Sequence, residues 1–551
     1  MTCRSSFIAG TIGMLATAFV FGNARAAEPK ENSATVISAQ WTYSTDGGKT
    51  FVPEAPKIGG THTVPKRADA ARATFRIEDP TKIGLLKVVM KSGVGGFTIT
   101  SAASIDRYNV GTCPTLLNTQ IVLNGNRSSI GHLPYTLYDS LSIDPKLLKQ
   151  GENTLQLSGN LWHKNYALGI VPAAIQLKSL PTDRAVLDRL PILGIVAKDY
   201  FGVSARAEIP SAFKVAVTPV QPAGPTAEHD FPRARVLKAR VPLPLGTKRF
   251  RYTVSVIAGG TSKSYGPYEA RAPTTGNGFR FVAAGGTLFR GDHKRIDQLY
   301  STVRKLKPDV FIHTGNYQNC PAWDFMWTNE FLRVSQPTLS QIPLFPMTNA
   351  MDMISPTSLS RTFFFPPNDK DWGHWTVVIG NVRFVTIEAF SQSHDKTDGG
   401  VKWLENILKD ADEDYLLVLN GHASHCSPVN YNRVFRSGAK HTVAKIDPLL
   451  VKYRVTATIG SIHRCYERVE PPADKSVPTI LTGHAGGMAW HTRTDPKNPN
   501  KYSKAFSDHD HYCLFEVTPG GLQLKAIDFD GKVLDTRTFK SRRAKRVPSE
   551  K

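Results

Sequence analysis

Hydrophobic and polar positions alternate with a period of two through the N-terminal part of the chain, from residue 28 to about residue 180. Short runs such as TVISAQWTY, ARATFRI and TLQLSG are separated by clusters of Gly, Pro, Asn and Asp. This pattern is typical of half-buried strands joined by turns. A second stretch of the same character covers residues 184–273. The pattern therefore predicts two consecutive all-β sandwiches.

The pattern changes at Phe279. The run FRFVAAG is continuously apolar and predicts a buried strand, after which strands such as DVFIH and YLLVLNGH alternate with helical segments. Each main helix has one apolar face, made of Ile296, Leu299, Val303 and Leu306 in the first and of Val401, Leu404 and Leu408 in a later one. The alternation predicts an α/β domain over residues 279–538, with functional loops at the strand ends.

The first 26 residues have the pattern of an export signal. Arg4 supplies the positive start, Phe7–Gly22 is the apolar stretch, and Ala24-Arg25-Ala26 is a small-residue cleavage site. We expect cleavage near Ala26 and a periplasmic or secreted protein. The apolar stretch is short for a membrane anchor, and no later run is long enough to form a transmembrane segment.

The chain of 551 residues is strongly basic, with a formal net charge of +22. A basic surface attracts anions, so phosphoesters and acidic glycans are the expected partners. The densest basic cluster is KSRRAKR in the tail, residues 540–551, which we expect to be a solvated, frayed end. No segment interleaves aromatic and basic residues as nucleic-acid modules do, which argues against specific nucleic-acid binding.

The cysteines bear on the same question of compartment, because thiols of exported proteins can pair. The chain has six cysteines, of which Cys3 is removed with the signal. The five that remain are Cys113, Cys320, Cys426, Cys465 and Cys513. Because five is an odd number, at least one thiol stays free or pairs between chains.

Parts of the β region resemble known modules. The words VLNG (Val122–Gly125) and GEN (Gly151–Asn153), within residues 28–180, resemble the galactose-binding-like jelly rolls of secreted glycosidases. The stretch STDGGKTF (Ser44–Phe51) matches an Asp-box pattern, which is more often a stable hairpin than a binding site. Residues 184–273 resemble a fibronectin-III-like sandwich. Carbohydrate binding by the jelly roll is therefore a hypothesis, and a packing role is its alternative.

Residues 279–538 resemble the calcineurin-like metallophosphoesterases, most closely the purple acid phosphatase-like branch. The resemblance rests on landmarks in the family's order, which are FRFVAAGG, PDVFIHTGN, PLFPMTNA, NVRFVTIEA, WLENILKDA, LVLNGHAS, IGSIHRCYERV and HYCLFEV. It implies a β-sandwich flanked by helices. In active members it also implies metal-dependent hydrolysis of phosphoric esters, with metal ligands on five loops.

Three of the implied ligand positions match this chain: Asn349 in the third loop, His422 in the fourth and His463 in the fifth. The first loop instead has Gly286 and Leu288 where the family has an Asp and a His. The remaining departures are Asn316 at the bridging Asp of the second loop, Ala350 at the catalytic His of the third and Ser461 at a His of the fifth.

These losses share one property, because every carboxylate that the family supplies to its metals is absent. Two neighbouring divalent cations repel each other unless oxyanions bridge them, so a dinuclear centre is not expected. The acid that would protonate a leaving group is also absent at Ala350. We expect no metal or at most one divalent transition metal, such as zinc or iron.

Other residues near these loops leave two alternatives open. Cys320, Cys426, Cys465 and His425 could join His422 and His463 in a mononuclear site for zinc or copper. Alternatively, two of the thiols form a disulfide, which suits an exported protein, or the thiols are inert, and these two interpretations together are favoured over a metal site. Asp292, Asp352 and Glu388 lie near family positions but out of register, and His484 and Asp508–His511 are the last candidates. The run Asp508–His511 is expected to be a solvated loop.

The glycine turns of the α/β domain, Gly285, Gly315, Gly421 and Gly460, are intact, so we expect it to fold and to keep a cleft. Turns without ligands indicate a pseudoenzyme, or a very weak phosphohydrolase, that binds an anionic ligand. One alternative is an active phosphoesterase with a remodelled mononuclear metal site. A second is a carbohydrate-binding envelope protein that uses the β domains.

Overall fold

The structure is a computed structural model that describes most of the chain from residue 36 to residue 543. The described residues are 36–44, 46, 49–53, 70–83, 85–93, 120–127, 140–143, 147–158, 169–180, 185–287, 293–317, 327–348, 352, 362–365, 374–387, 399–421, 423–427, 440–461, 463–487 and 499–543. The predicted export signal lies outside them, as do Cys113, Leu288, Asp292, Cys320, Asn349, Ala350, Glu388 and His422. No helix within these ranges is both long and apolar enough to cross a membrane.

The N-terminal unit consists of two antiparallel sheets. Its strands are β1 Val36–Ser38, β2 Gln40–Ser44, β3 Ala70–Ile77, β4 Leu85–Gly93, β5 Gln120–Leu123, β6 Asn126–Arg127, β7 Ser140–Ile143, β8 Gly151–Ser158 and β9 Gly169–Leu180, with a 3-10 turn at Pro80–Lys82. One sheet has the order β1-β9-β4-β7 and the other β2-β3-β8-β5-β6.

The turn between β5 and β6 shows why the word VLNG is present. Asn124 and Gly125 have φ angles of 51° and 81°, and two positive φ angles are what a two-residue hairpin turn of type I′ requires. Asn124 Nδ2 also donates to Asn153 Oδ1 at 2.7 Å, and Asn124 Oδ1 accepts from the Thr154 backbone N–H at 2.9 Å. The residues that carry the resemblance to a sugar-binding jelly roll therefore bind neighbouring strands to each other.

The Asp-box segment is a hairpin stabilised by one carboxylate. Asp46 accepts hydrogen bonds from Thr50 Oγ1 at 2.6 Å, from the Thr50 backbone N–H at 2.9 Å and from Ser44 Oγ at 2.7 Å. The hydrogen bonds from Thr50, and then from Ser44, hold the pKa of the Asp46 carboxyl well below its usual value. The carboxylate is thus occupied within its own turn.

The second unit is one five-stranded sheet. Its strands are β10 Leu187–Val196, β11 Tyr200–Gln221, β12 Ala227–Pro242, β13 Arg249–Ala258 and β14 Thr261–Arg271. The 22-residue strand β11 pairs with β10 in its first part, with β13 in its second part and with β12 along most of its length. From Ala205 to Pro219 its buried and partly exposed side chains alternate, so one face of the strand builds the core.

The third unit alternates strands and helices. Its strands are β15 Arg280–Ala284, β16 Val310–His313, β17 Leu344–Pro346, β18 Trp375–Ile379, β19 Val382–Ile387, β20 Tyr415–Asn420, β21 Ala457–Gly460, β22 Tyr466–Val469, β23 Thr479–Thr482, β24 Ser503–Ser507, β25 His511–Thr518, β26 Gly521–Asp528 and β27 Val533–Phe539. Its α-helices are α1 Lys294–Leu306, α2 Arg333–Leu339, α3 Gly399–Lys409 and α4 Asp447–Lys452, with π-helical turns at Trp327–Leu332 and Thr442–Ile446.

These strands form two sheets that share one core. The six-stranded sheet has the order β17-β16-β15-β25-β26-β27, and the seven-stranded sheet has the order β18-β19-β20-β21-β23-β22-β24. Phe281 of β15 stacks on Phe515 of β25 at 4.5 Å within the first sheet. It also meets Phe384 of β19, in the second sheet, edge-on at 5.1 Å. This contact between the sheets makes the unit a sandwich.

The helices cover the sandwich with the faces that the sequence predicts. In α1 the buried side chains include Ile296, Leu299 and Val303, and in α3 Leu404 and Leu408 are fully buried. Buried residues three or four positions apart lie on one side of a helix, which the sheets then cover. The helical predictions are thus confirmed, and so is the coarse prediction of a β-rich chain with several sheets.

The second and third units are in contact through the ring of Phe364. A Cβ atom on Gly202 of β11 would lie 2.2 Å from Phe364 Cδ1, and a Cβ atom on Gly194 of β10 would lie 2.9 Å from Phe364 Cβ. Only glycine leaves room for the phenyl ring at such a distance. The ring therefore sits against bare backbone of two strands.

Polar groups fix the same contact. Arg189 donates to Thr362 Oγ1 at 2.8 Å, and Ser204 Oγ donates to the Thr362 carbonyl at 2.8 Å. Elsewhere in the contact Tyr252 donates its hydroxyl hydrogen to the Ser340 carbonyl at 2.7 Å. All these side chains are buried, so each hydrogen bond satisfies a group that would otherwise have been desolvated without a partner.

The start of the basic tail is also bound to the third unit. Arg543 forms an ion pair with Asp412 at 2.9 Å, and Ser541 Oγ donates to the Asp414 carboxylate at 2.7 Å. The Arg542 backbone N–H donates to the Asp414 carbonyl at 2.9 Å. The expectation of a frayed tail is therefore wrong for Ser541–Arg543, because an acidic turn between α3 and β20 attracts it.

Substituting Gly202 by Ala should disrupt the contact with Phe364. The added methyl group overlaps the ring, so the free energy of unfolding, measured by urea denaturation, should fall by about 2 kcal/mol. The companion substitution Phe364→Leu should recover part of this loss in the double variant, since it removes ring atoms from the overlap. Gly520→Ala, in an exposed turn with the nearest atom 3.7 Å away, is the control and should change stability by less than about 0.5 kcal/mol. Equal effects at the two glycines would contradict the packing described.

Candidate functional site

The parallel strands of both sheets end at one edge of the sandwich, and their loops meet there. We call this region the loop junction and define it as residues 285–287, 314–317, 463–465 and 483–487 together with Ser461. Hydrogen bonds from one sheet to the other hold the strand ends together. Thr314 Oγ1, after β16, donates to the Thr482 carbonyl at 2.8 Å, and Thr482 Oγ1 donates to the Ala283 carbonyl at 3.3 Å.

Gly286 lies at the centre of the loop junction and has no room for a side chain. Its φ angle is 74°, in the left-handed region that favours glycine, and its N–H donates to the Gly315 carbonyl at 2.9 Å. A Cβ atom here would lie 1.9 Å from the carbonyl oxygen of Gly483. An aspartate at this position would therefore require the loop after β23 to move away.

The next loop is packed as closely. A Cβ atom on Gly483 would lie 2.1 Å from the carbonyl oxygen of His463, so the backbones of three loops are in contact with one another. Ser461 Oγ donates to the Thr314 carbonyl, and Ser461 is fully buried. The serine that stands at a family histidine position thus joins two loops by a hydrogen bond.

Asn316 has a left-handed backbone conformation, and a carboxylate from another loop, that of Asp352, caps its turn. Its φ angle is 56°, and the residue is 4% exposed. The backbone N–H groups of Asn316 and Tyr317 donate to the two oxygens of Asp352, at 2.7 and 3.2 Å. Asp352, which the sequence places out of register, therefore caps this loop. The side-chain oxygen of Asn316 has no hydrogen-bond partner among the described residues.

His313 is a buried histidine of this edge that sequence reasoning missed. Its Nδ1 accepts from the Gly315 N–H at 3.2 Å, which leaves the hydrogen on Nε2 to be donated to Thr287 Oγ1 at 3.0 Å. The ring stacks on Tyr317 at 3.9 Å. Burial lowers the pKa of His313 to about 3, so it is neutral at neutral pH. A histidine in an otherwise apolar strand, three residues before Asn316, was the available signal.

His484, in the loop junction, and His511, at the start of β25, are neighbours, since the His511 backbone N–H donates to the His484 carbonyl at 2.9 Å. Their Nδ1–H groups donate to the carbonyls of Asp508 and His509, each at 2.8 Å. Burial lowers the pKa of His511 to about 4. Asp510 lies 3.4 Å from His484 Nε2 and also accepts from the Gly486 N–H at 2.8 Å. The run Asp508–His511 is thus only partly a solvated loop, because Asp508 and His509 are exposed whereas Asp510 is partly buried and His511 is fully buried.

Cys426 and Cys465 lie together, and His425 does not share their environment. Both cysteines are free and belong to one apolar cluster with Ala423 and Leu481. His425 has a left-handed backbone (φ 59°), and its Nε2 faces the buried carboxylate of Asp447 at 3.4 Å. The structure therefore brings together two of the predicted thiols and directs the neighbouring histidine elsewhere.

The described residues do not fit the metal centre that the family resemblance implies. Gly286 cannot carry a ligand, Ser461 bonds to backbone, and the Asp352 carboxylate accepts two backbone N–H groups. His463 is in the junction and is partly exposed. No set of three or more His, Cys, Asp or Glu side chains within the described ranges is arranged to hold a metal ion.

No protein-family model matches the sequence, and no curated protein matches it. Among solved structures, a purple acid phosphatase from yellow lupin (Lupinus luteus) seeds is 13% identical, with a TM-score of 0.55, and the match covers 86% of this chain and 92% of that one. PhoD is 11% identical with a TM-score of 0.48, covering 65% of this chain and 90% of its own. GAP50, the anchor in the inner membrane complex of Plasmodium, is 16% identical with a TM-score of 0.38, covering 48% and 90%.

The match to the lupin phosphatase supports a metallophosphoesterase-like fold for this chain. At 13% identity the likeness concerns the fold alone. The sequence prediction is thus confirmed at the level of the fold, while the activity must be argued from the residues of the junction.

Replacing His313 by Gln should make the protein less sensitive to acid. An unfolded histidine binds a proton near pH 6.5, whereas the folded His313 does so only near pH 3, so the unfolded state holds one more proton between these values. Stability therefore rises with pH in this window. Without His313 the slope of the unfolding free energy between pH 6 and pH 4 should fall by about 1.4 kcal/mol per pH unit.

Tryptophan fluorescence can follow this unfolding, because Trp327 and Trp375 are buried in the third unit. The matched control is His509→Gln, at an exposed histidine of the same edge. An unchanged slope in His313→Gln, or an equal change in both variants, would mean that His313 is not held neutral by burial.

Proposed function

We propose that this protein binds an anionic ligand on a metallophosphoesterase-like scaffold and does not hydrolyse phosphoric esters efficiently. The ligand is a phosphorylated compound or an acidic glycan, and the protein acts outside the cytoplasm after removal of its N-terminal signal. It is thus a pseudoenzyme of its fold.

The observation that carries this proposal is the packing of Gly286 on the Gly483 carbonyl. A phosphoesterase of this type needs carboxylates between its loops, because oxyanions make two close cations tolerable. Here the loops occupy that space with their own backbones, and a Cβ atom at Gly286 would be 1.9 Å from an oxygen atom. At Gly286 the aspartate of the family is therefore not only replaced by another residue, because backbone atoms of a neighbouring loop fill the space that its side chain would need.

The remaining polar groups support the same conclusion. The hydroxyls of Thr314, Ser461 and Thr482 donate to backbone carbonyls across the junction. They stabilise the closed arrangement, and none of them is placed as a base or an acid for attack on phosphorus. These hydroxyl groups of the loop junction therefore have a structural role.

The class of ligand follows from charge. The net charge of +22 gives the whole molecule a field that attracts anions and raises their rate of encounter. In the N-terminal unit, Asp46 and the Asn124–Asn153 pair are occupied within their own turns and strands. We therefore assign no separate carbohydrate-binding function to these described residues of that unit.

Elemental analysis of the mature, tag-free protein should find less than one transition metal ion per chain, and turnover of p-nitrophenyl phosphate should be negligible. Restoring the family residue by Gly286→Asp should not introduce metal binding. It should instead lower the free energy of unfolding by roughly 3–5 kcal/mol, through overlap with Gly483 and the cost of left-handed backbone for a side chain. Gly520→Asp makes the same substitution in an open turn and is the control.

Two metal ions per chain with robust turnover would refute the proposal. One ion per chain, lost together with activity in both His422→Ala and His463→Ala, would replace it by a mononuclear phosphoesterase. The unpartnered oxygen of Asn316 is the observation that keeps this alternative under test, because it is a buried acceptor at the position of a family metal ligand.

A further inference from the structure

Two thiols on different loops lie side by side next to the loop junction. Cys426 belongs to the segment 423–427 that follows β20, and Cys465 directly precedes β22. Cys465 is fully buried and Cys426 is partly buried, and with Ala423 and Leu481 they form one apolar cluster. The order β20-β21-β23-β22 places two other strands between the parent strands of these thiols.

The register of β22, continued by one residue to Cys465, explains why the Cys465 side chain lies in the same cluster as Cys426. Side chains along a strand point alternately to opposite faces, so Cys465 and Glu467 point to one side and Tyr466 to the other. Ser427 donates from its backbone N–H to Glu467 Oε2 at 2.9 Å, and its hydroxyl donates to the other carboxylate oxygen. These two hydrogen bonds hold Ser427, which follows Cys426, beside Glu467, which lies two positions after Cys465.

Tyr466 confirms the alternation from the other face. Its hydroxyl donates to Asp535 Oδ2 at 2.6 Å, in β27, and its ring meets His511 at 5.5 Å. Tyr466 is therefore turned toward the six-stranded sheet. The opposite side of the chain, which carries Cys465, is left to face the loop of Cys426.

We propose that Cys426 and Cys465 form an intrachain disulfide that fastens the loop after β20 to the start of β22. The bond would span the edge of the seven-stranded sheet over β21 and β23 and would close a loop of about 40 residues. It is a covalent form of the closure that hydrogen bonds already provide at the loop junction. The inference does not depend on the proposed function, because it concerns the thiols alone.

The chemistry requires an external oxidant, which is a small-molecule disulfide such as glutathione disulfide. One thiolate attacks a sulfur of the oxidant and releases a first thiol, and the second cysteine then attacks the mixed disulfide and releases another. The two cysteines lose two protons and two electrons in total, and the oxidant is reduced to two thiols. Burial raises the pKa of Cys426 to about 12 and that of Cys465 well above its usual value. The reaction should therefore be faster during folding than in the folded, reduced protein.

The test is to refold the full chain in a mixture of reduced and oxidised glutathione, block free thiols with N-ethylmaleimide under denaturing conditions and digest with trypsin without reduction. The peptide Asp410–Arg433 should be found linked to the peptide Cys465–Arg468, and dithiothreitol should separate them. The oxidised protein should melt about 5–15 °C above its reduced form.

The variants Cys426→Ser and Cys465→Ser should each abolish this difference in melting temperature, and the double variant should match the single ones. Cys513→Ser is the control, because Cys513 is a buried thiol of β25 outside the cluster, and the difference should persist in it. Alkylation of both cysteines, or a link from either one to Cys113, Cys320 or Cys513, would overturn the proposal. A stoichiometric zinc ion that is lost in Cys426→Ser would also overturn it, by showing that the thiols are ligands.

Discussion

The third unit is most tightly packed at the ends of its parallel strands, where backbone lies directly against backbone. Gly286 lies against the Gly483 carbonyl, and Gly483 lies against the His463 carbonyl. Interiors are packed so densely that atoms placed at these distances must displace something. The described parts of the loops after β15, β21 and β23 therefore depend on two positions that have no side chain.

This closure also explains the polar composition of the edge. Deep in a protein a charge needs a partner, whereas a hydroxyl is satisfied by one carbonyl. Ser461, Thr314 and Thr482 use such neutral hydrogen bonds, and His313 is held without a charge. The buried carboxylate at this edge, Asp352, is balanced by backbone N–H groups of the loop that it caps.

The sequence allowed the local features to be predicted, because each is encoded by neighbouring residues. Periodicity places Ile296, Leu299 and Val303 on one helical face, and Asn124-Gly125 specifies its turn within two residues. The contacts that define the edge instead join residues that are far apart in the sequence. Asp352 reaches Asn316 across 36 positions, and the Thr314 hydroxyl reaches Thr482 across 168. Such partners are selected by the packing of whole sheets, so the sequence identified Asn316 and Ser461 as departures from a family but could not show what occupies their place.

The joint between the second and third units has a consequence for how the chain can change over generations. Gly194 and Gly202 fit Phe364, and buried Arg189 and Ser204 fit Thr362. A recombination event that brought a different β module before residue 279 would bury a phenyl ring against side chains and leave an arginine without its acceptor. The second and third units are therefore expected to be inherited together. Exchange of modules in evolution should occur N-terminal to β10, where the chain passes from the first pair of sheets to the second unit.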